Sequence, residues 1–473
     1  MGAPKLLIGG EWVSSLEKAV IVNPYDQTVV AEVPVAGAEL VERALQAAAQ
    51  AKEEMARLPA HRRTEILLHA ARLVAERKEE LAATITRETG KTIRYSRQEV
   101  DRSIFTLRLC AEEAGRVTGQ EVRLDRVPGA ENRMGFVIRQ PVGVVLCITP
   151  FNAPFNLICL KAGPAIAAGN AVIVKPAPQA PLTALMLGEI LLEAGLPPRA
   201  VNIVYGGADV GRQLVADPRV NFIAFTGSAR AGQEIARTAG FKKLMLELGS
   251  NAGVYVHTDA RLEKAIPRLV QGAFATTGQA CISTQRIYVH ESLFAAFLEG
   301  FLPAVSRLTV GDPMDPATDI GPMIDQAAAE RVEAWIREAE AGGAQVLVGG
   351  KRSGVMVWPT VLTNVRPHLR VVCEEVFGPV VSVVPVGSLE DGLERINDSP
   401  YGLQAGVFTE SIDVAFRAAR ALYVGGVMVN DSSKFRVDNM PFGGVKSSGM
   451  GRESPADCVE LMTEKKLLVF TLG

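Results

Sequence analysis

Glu247 and Cys281 sit in surroundings that suit them for bond-making chemistry. Glu247 lies in Leu246-Glu247-Leu248-Gly249, a carboxylate between apolar neighbours that runs into glycine. Apolar surroundings raise a carboxylate's pKa, and such a group can act as a general base near neutral pH. Cys281 follows Thr276-Thr277-Gly278-Gln279-Ala280. A thiol among small groups, near backbone N–H donors, can become a thiolate nucleophile. Each also has a plainer reading, as a structurally paired buried acid and as a small core hydrophobe. A third stretch, Thr149-Pro150-Phe151-Asn152-Ala153-Pro154, ends an apolar run. An Asn amide there can donate to a developing oxyanion, or simply shape a turn between prolines.

Only a fold can bring residues this far apart together. From Gly143 the chain alternates apolar strands with helices. Strands are expected at Val144–Thr149, Ala171–Lys175, Val201–Tyr205, Phe222–Thr226 and Val254–Val256, with helices near Leu157–Ala168, Leu182–Glu193, Val210–Ala216 and Ala229–Thr238. Continuous apolar strands spaced by helices mean a parallel, doubly wound sheet, which binds ligands beyond the carboxyl ends of its strands. A second α/β unit follows from residue 260 to about 425, with strands at Arg286–His290, Gln345–Val348, Val380–Val384 and Gly406–Phe408. Upstream, two strand regions (6–13 and 19–33) precede a helical region over Gly37–Thr89, which Pro59 breaks and in which Leu67, Leu68, Ala71 and Val74 recur at helical spacing. A further helix spans Ser96–Ala114, and Glu121–Leu124 with Arg133–Gln140 reads as a two-stranded arm.

The G-x-G-x-x-G turn of common dinucleotide folds is absent. Gly227-Ser228 stands instead between an apolar strand and a helix, where N–H groups and the Ser hydroxyl could face a pyrophosphate or merely cap the helix. Lys175, at a strand's carboxyl end, reaches toward the same crevice.

Taken together, these stretches resemble the aldehyde dehydrogenase superfamily over nearly the whole chain. The resemblance implies an α/β fold with a Rossmann-like cofactor domain (1–118 and 141–247), an α/β catalytic domain (248–446) and a small β oligomerisation arm and tail (119–140 and 456–473). It implies NAD(P)-dependent oxidation of an aldehyde to its acid. Cys281 would form a thiohemiacetal and then a thioester, Asn152 and the Cys281 N–H would hold the oxyanion, and Glu247 would activate the hydrolytic water. Lys161 and Glu453 match proton-relay positions, or are surface charges. Thr149, Phe151, Lys175, Gly207, Gly227 and Ser228 would bind the cofactor, with Glu375 on the nicotinamide ribose and Phe377 beside it.

Two departures stand out. Pro178 replaces the family's ribose-binding Glu, which removes a charge that would repel a 2′-phosphate, so NADP should be accepted as well as NAD. Ser250 replaces a second glycine after the base, which questions the backbone freedom around Glu247. The stretch before Pro441 carries Lys434 and Arg436 where fatty-aldehyde enzymes often carry aromatics. With the small Ala153, and with Arg108 on a flanking helix, it points to a short hydroxylated or anionic aldehyde: lactaldehyde, glyceraldehyde or its phosphate, or a semialdehyde. A CoA-acylating enzyme would typically lack Glu247, and a cofactor-independent thioester hydrolase would not need the cofactor residues.

The totals agree with such an enzyme. The 473 residues are 48% apolar and 22% charged with a net charge of −2, which gives no reason to expect nucleic acid or membrane as a partner. The six cysteines include no C-x-x-C pair, and neither His257 nor His290 has a partner at ligand spacing, so no metal is expected. No signal peptide is apparent. The expectation is a cytoplasmic protein that forms a homodimer or homotetramer.

Overall fold

The computed structural model describes residues 3–473. An eight-stranded sheet contains five parallel strands in the spatial order Val201–Ile203, Ala171–Lys175, Val144–Ile148, Phe222–Thr226, Lys243–Glu247. Val144–Ile148 and Ala171–Lys175 are buried along their whole length, as strands covered on both faces must be. Helices Ala38–Arg57 and Pro154–Ala167 pack on them. Strand order reverses between Val144–Ile148 and Phe222–Thr226, the switch point at which a doubly wound sheet opens its ligand crevice. Thr149–Pro154 leaves the sheet at that point. Both edges are finished by antiparallel strands: Leu6–Ile8 with Glu11–Val13 on one side, Gly449–Met450 on the other.

The second sheet has seven strands in the order Gln345–Val348, Thr360–Thr363, Val380–Val386, Arg286–His290, Gly253–Val256, Gln404–Phe408, Gly426–Val429. Here one expectation is corrected. Val254–Val256 belongs to this second sheet, between Arg286–His290 and Gln404–Phe408. The fifth parallel strand of the first sheet is Lys243–Glu247, which the sequence reading passed over because it opens on a half-buried lysine and only its last three residues are buried.

Pro59 does separate two helices, Ala38–Arg57 and Ala60–Glu76. Of the residues at helical spacing, Leu67, Ala71 and Val74 are buried and Leu68 is not. The arm is a three-stranded sheet in which Arg133–Pro141 lies between Gln120–Val122 and Thr463–Thr471. The tail therefore pairs within its own chain, from Thr463 opposite Pro141 to Thr471 opposite Arg133. Leu124 falls in a short 3-10 turn, Leu124–Arg126, not in the strand. Among the described residues, no helix is long and apolar enough to cross a membrane.

Candidate active site

Glu247 is the last residue of its strand, beside the switch point, and is 2% exposed. Neither carboxylate oxygen has a hydrogen-bond partner among the described residues. Burial, reinforced by the nearby Glu453 charge, raises its pKa well above the usual carboxylate range, against the pull of Arg436, Lys161 and Arg452. A raised pKa makes the ionised carboxylate a stronger base, suited to taking a proton from water.

Cys281 follows helix Leu262–Phe274 and precedes strand Arg286–His290 of the second sheet. Ahead of it Thr276, Thr277 and Gly278 all have positive φ, at 57°, 57° and 66°. For β-branched threonines this is strain of about 1–3 kcal/mol each, kept only where surroundings over-determine it. Those surroundings are visible. Lys434 Nζ donates to the Ala275 carbonyl (2.9 Å) and to Thr276 Oγ1 (3.0 Å). The Gly321 N–H donates to Thr277 Oγ1 (3.2 Å), and the Ile324 N–H to Gln279 Oε1 (3.0 Å). At Gly278 a Cβ would stand 2.1 Å from the Gly378 carbonyl, so backbone meets backbone between the thiol loop and the Glu375–Pro379 loop. Cys281 itself is half-buried against Ile282, Leu403 and Phe442. Burial pushes its thiol up to about 12, with Arg436 pulling the other way.

Asn152 precedes helix Pro154–Ala167, and its Oδ1 is buried without a partner. On the same helix, Lys161 is fully buried and donates to Glu453 and to Thr226 Oγ1 (2.6 Å). Glu453 also accepts from Arg436 Nη2 (2.9 Å). Although burial pushes Glu453 up, Lys161 and Arg436 together hold it below the usual carboxylate range. Lys161 and Glu453 are thus interior charges beside Glu247, not surface ones.

Arg436, expected at the substrate, has its hydrogen bond to Glu453, lies 3.7 Å from Asp438, and stacks 3.7 Å above the Phe442 ring. It lines the pocket beside Ala153 while sharing its charge with Glu453 and Asp438. Arg108 is exposed and lies outside the site; Arg102, on the same helix (Ile93–Ala114), faces inward and binds Asp438 at 2.6 Å. A pocket of about 260 Å³ opens beside Ala153 and Thr276, with Lys91, Arg102, Arg268 and Lys434 on its walls. Lys91 is neutralised by Glu99, and Arg268 stands 4.0 Å from Asp431. Lys434 pairs with no carboxylate among the described residues, and burial lowers its pKa to about 7.

A second groove, of about 270 Å³, runs between helices Ala208–Ala216 and Ala229–Thr238, lined by Ile148, Lys175, Pro178, Gly207, Gly211 and Phe225 among others. Lys175 is buried there with only its neighbour's carbonyl as acceptor (3.3 Å), and burial lowers its pKa to about 8. Ser228 caps its helix by accepting from the Ala231 N–H (3.3 Å), which leaves its own O–H available to donate. Thr149 is buried at the crevice, its N–H bonded to the Lys175 carbonyl (3.2 Å), and Gly227 N–H donates to the Glu247 carbonyl (3.0 Å). Phe151 and Phe377 meet edge to face, 5.9 Å between centroids. Glu375 accepts from the Ser250 N–H (2.9 Å), and burial raises its pKa to about 7. A Cβ at Gly249 would stand 2.3 Å from that carboxylate, whereas Ser250 supplies an N–H that any non-proline residue would. The backbone question raised at position 250 therefore falls on Gly249, which is glycine.

The aldehyde dehydrogenase family profile matches residues 12–468. The chain belongs to the aldehyde dehydrogenase family. It is 46% identical over 468 residues to a 3-sulfolactaldehyde dehydrogenase of Priestia aryabhattai, covering 99% of this chain and 98% of that protein. Aldehyde dehydrogenase 21 of Physcomitrella patens, solved with its reaction product succinate, is similar at TM-score 0.97 and 38% identity, with 99% of both chains covered. A glyceraldehyde-3-phosphate dehydrogenase of Methanocaldococcus jannaschii, solved with NADP, is similar at TM-score 0.93 and 38% identity, covering 97% of this chain and 100% of that one.

Within this aldehyde dehydrogenase frame, sequence reasoning missed Lys91, Glu99, Arg102, Thr226 and Asp438. The buried face of helix Ile93–Ala114 includes Ser96, Glu99, Ser103 and Thr106. A polar inner face hides the helical period that would have favoured Arg102 over Arg108.

Proposed function

We propose that the protein oxidises a short aldehyde bearing an anionic group to the carboxylic acid, with NADP or NAD as the oxidant. The observation that carries the reaction is the meeting at one cleft of Glu247, from the first sheet, with Cys281, on a loop of the second; Glu247 acts on the Cys281 thiol, and Arg436 and Glu453 act on both groups. Cys281 gives its proton to solvent, and the thiolate attacks the carbonyl carbon. Asn152 and the Cys281 N–H receive the oxyanion of the thiohemiacetal. Bound nicotinamide supplies the hydride acceptor that leaves a thioester on Cys281. Glu247 then takes a proton from water, which attacks the thioester and frees the acid. Glu453 and Lys161 provide an exit for that proton. A CoA-acylating reaction is the weaker reading, because a buried carboxylate with no structural partner has no part in it.

The groove around Lys175 fits an adenosine phosphate: its cation is buried, lacks a carboxylate, and has Pro178 at the lip. Lys175, Gly207, Gly227 and Glu375 would hold the cofactor. Placing a carboxylate at the lip should restore a preference for NAD. Pro178→Glu is expected to lower kcat/KM for NADP relative to NAD by about tenfold or more through charge repulsion; an unchanged ratio in initial-rate assays with both cofactors would remove the argument.

For the substrate, the cation-walled pocket is the support, together with relatives named for a sulfonated aldehyde or solved with a dicarboxylate. Lys434 is the cation there without a carboxylate. We expect Lys434→Met to raise KM for anionic aldehydes about tenfold more than for neutral aldehydes of the same length, with any loss of kcat from the missing Ala275 and Thr276 bonds common to both. Lys434 is charged below its lowered pKa of about 7 and neutral above it. KM for anionic aldehydes should therefore climb as pH rises through that value, and the climb should vanish in the variant. A panel of sulfonated, phosphorylated, carboxylated and neutral short aldehydes tests the class; equal kcat/KM across it would sink the anionic reading. The arm, with Met134, Ile138, Leu467, Val469 and Phe470 exposed and Thr463–Thr471 at its edge, is the surface we assign to a homodimer or homotetramer.

A further inference from the structure

Helix Pro154–Ala167 begins two residues after Asn152, and its N-cap is Ala153, which has no side chain able to bond the free N–H groups of the first turn. Those groups are satisfied from elsewhere. Glu99 Oε1 accepts from the Phe155 N–H (2.9 Å) and the Asn156 N–H (3.1 Å). Its other oxygen, Oε2, is bound by Lys91 Nζ. Both partners are buried, with side chains 4% and 7% exposed. The neighbouring turn is fixed the same way: Thr106 Oγ1 donates to Asn156 Oδ1 (3.1 Å) and to Asp438 Oδ2 (3.1 Å), the carboxylate that Arg102 holds.

We infer that Glu99, backed by Lys91, is a positioning residue for the Asn152 amide: it caps the helix in trans and so fixes where the oxyanion donor stands. The inference rests on Asn152 acting as that donor. Two physical points favour it over a general packing role. Asn152 Oδ1 has no partner of its own, so the amide has little besides the backbone of this turn to set its direction. A bare carboxylate at this helix terminus would also oppose negative charge developing nearby, and Lys91 cancels it. A displacement of about 1 Å at a catalytic group can cost a hundredfold in rate.

Glu99→Gln keeps the size of the side chain but loses the charge, and turns an amide N–H₂ or a weaker acceptor toward Lys91 and the helix. The expected result is a fall in kcat of about tenfold to a hundredfold, with KM for a neutral aldehyde and Kd for NADP within about twofold of the parent. The deciding measurement is the double-variant cycle. In protein already carrying Asn152→Ala, Glu99→Gln should lower kcat by no more than about twofold, because the group it positions is gone. If Glu99→Gln slows the Asn152→Ala protein by the same factor as it slows the parent, or leaves the parent's kcat unchanged, the positioning role is wrong. Asn152→Ala alone is the control on the underlying reading: if it keeps the parent's kcat, Asn152 is not the oxyanion donor, and the role of Glu99 falls with it. Should Glu99→Gln fail to fold, Glu99→Asp takes the same cycle, since it keeps the charge and draws it back by one methylene.

Discussion

Protein with Cys281 replaced by alanine is expected to oxidise aldehydes at less than about 10⁻⁴ of the parent's kcat, because no other group in the cleft can carry the acyl intermediate. The other cysteines offer no substitute. Cys110, Cys147, Cys159 and Cys458 are buried, and burial raises all four thiols; Cys373 donates its thiol to the His368 carbonyl (3.4 Å). Cys281 makes no hydrogen bond through sulfur and is only partly enclosed by Ile282, Leu403 and Phe442, so alanine should leave the fold intact. NADP binding, followed by fluorescence, should persist with a Kd close to the parent's. Residual turnover at more than a few per cent of the parent would show that the thiol is not the nucleophile.

Glu247→Gln should separate the two halves of the reaction. Steady-state kcat should fall by about 10²–10⁴, the usual contribution of a general base. A burst of reduced cofactor near one equivalent per site should survive in rapid mixing, since thioester formation does not need the base. Mass spectrometry of the quenched protein should then find the acyl group on Cys281. Loss of the burst together with the steady rate would mean that Glu247 acts earlier, on the thiol, and the hydrolytic role would be wrong. The pH dependence has a definite sign. Burial raises Glu247 far above its unfolded value, so the basic form grows as pH rises, and deacylation-limited turnover should rise with it. The same shift works against stability: this group's contribution is full below its unfolded pKa and is lost as pH climbs toward the folded one. Glutamine carries no such charge, so the variant should melt at or above the parent's midpoint at alkaline pH.

Cys281, Glu247 and Asn152 are legible in the sequence because each sits in a short stretch whose neighbours are chosen for the same job: small residues beside the thiol, apolar ones around the acid, prolines flanking the amide. Ser228 shows the limit of that reading, since a Gly-Ser at a strand–helix turn caps its helix whether or not the hydroxyl also donates to a phosphate. The parallel sheets are legible for a related reason, since strands buried on both faces leave unbroken apolar runs. Lys243–Glu247 escaped because a strand at the rim of the parallel set starts half-exposed and carries lysine there. Arg436 could not be placed from sequence at all. A guanidinium beside a substrate tunnel and one stacked on Phe442 and tied to Glu453 have the same local sequence; only the return of residues 442–453 to the first sheet tells them apart. Glu99 was invisible for a similar reason, being a helix cap supplied by a different helix.

The Gly449–Met450 strand pairs with Leu246 and Glu247, so the strand that bears the base is flanked by a segment made more than two hundred residues later. The thiol, the amide and the carboxylate all precede that segment in the chain, so the carboxylate's seat stays open at this edge until Gly449–Met450 docks on it. A folding intermediate without this strand would keep its nucleophile but lack a shielded base, so competence would arrive in a single late step.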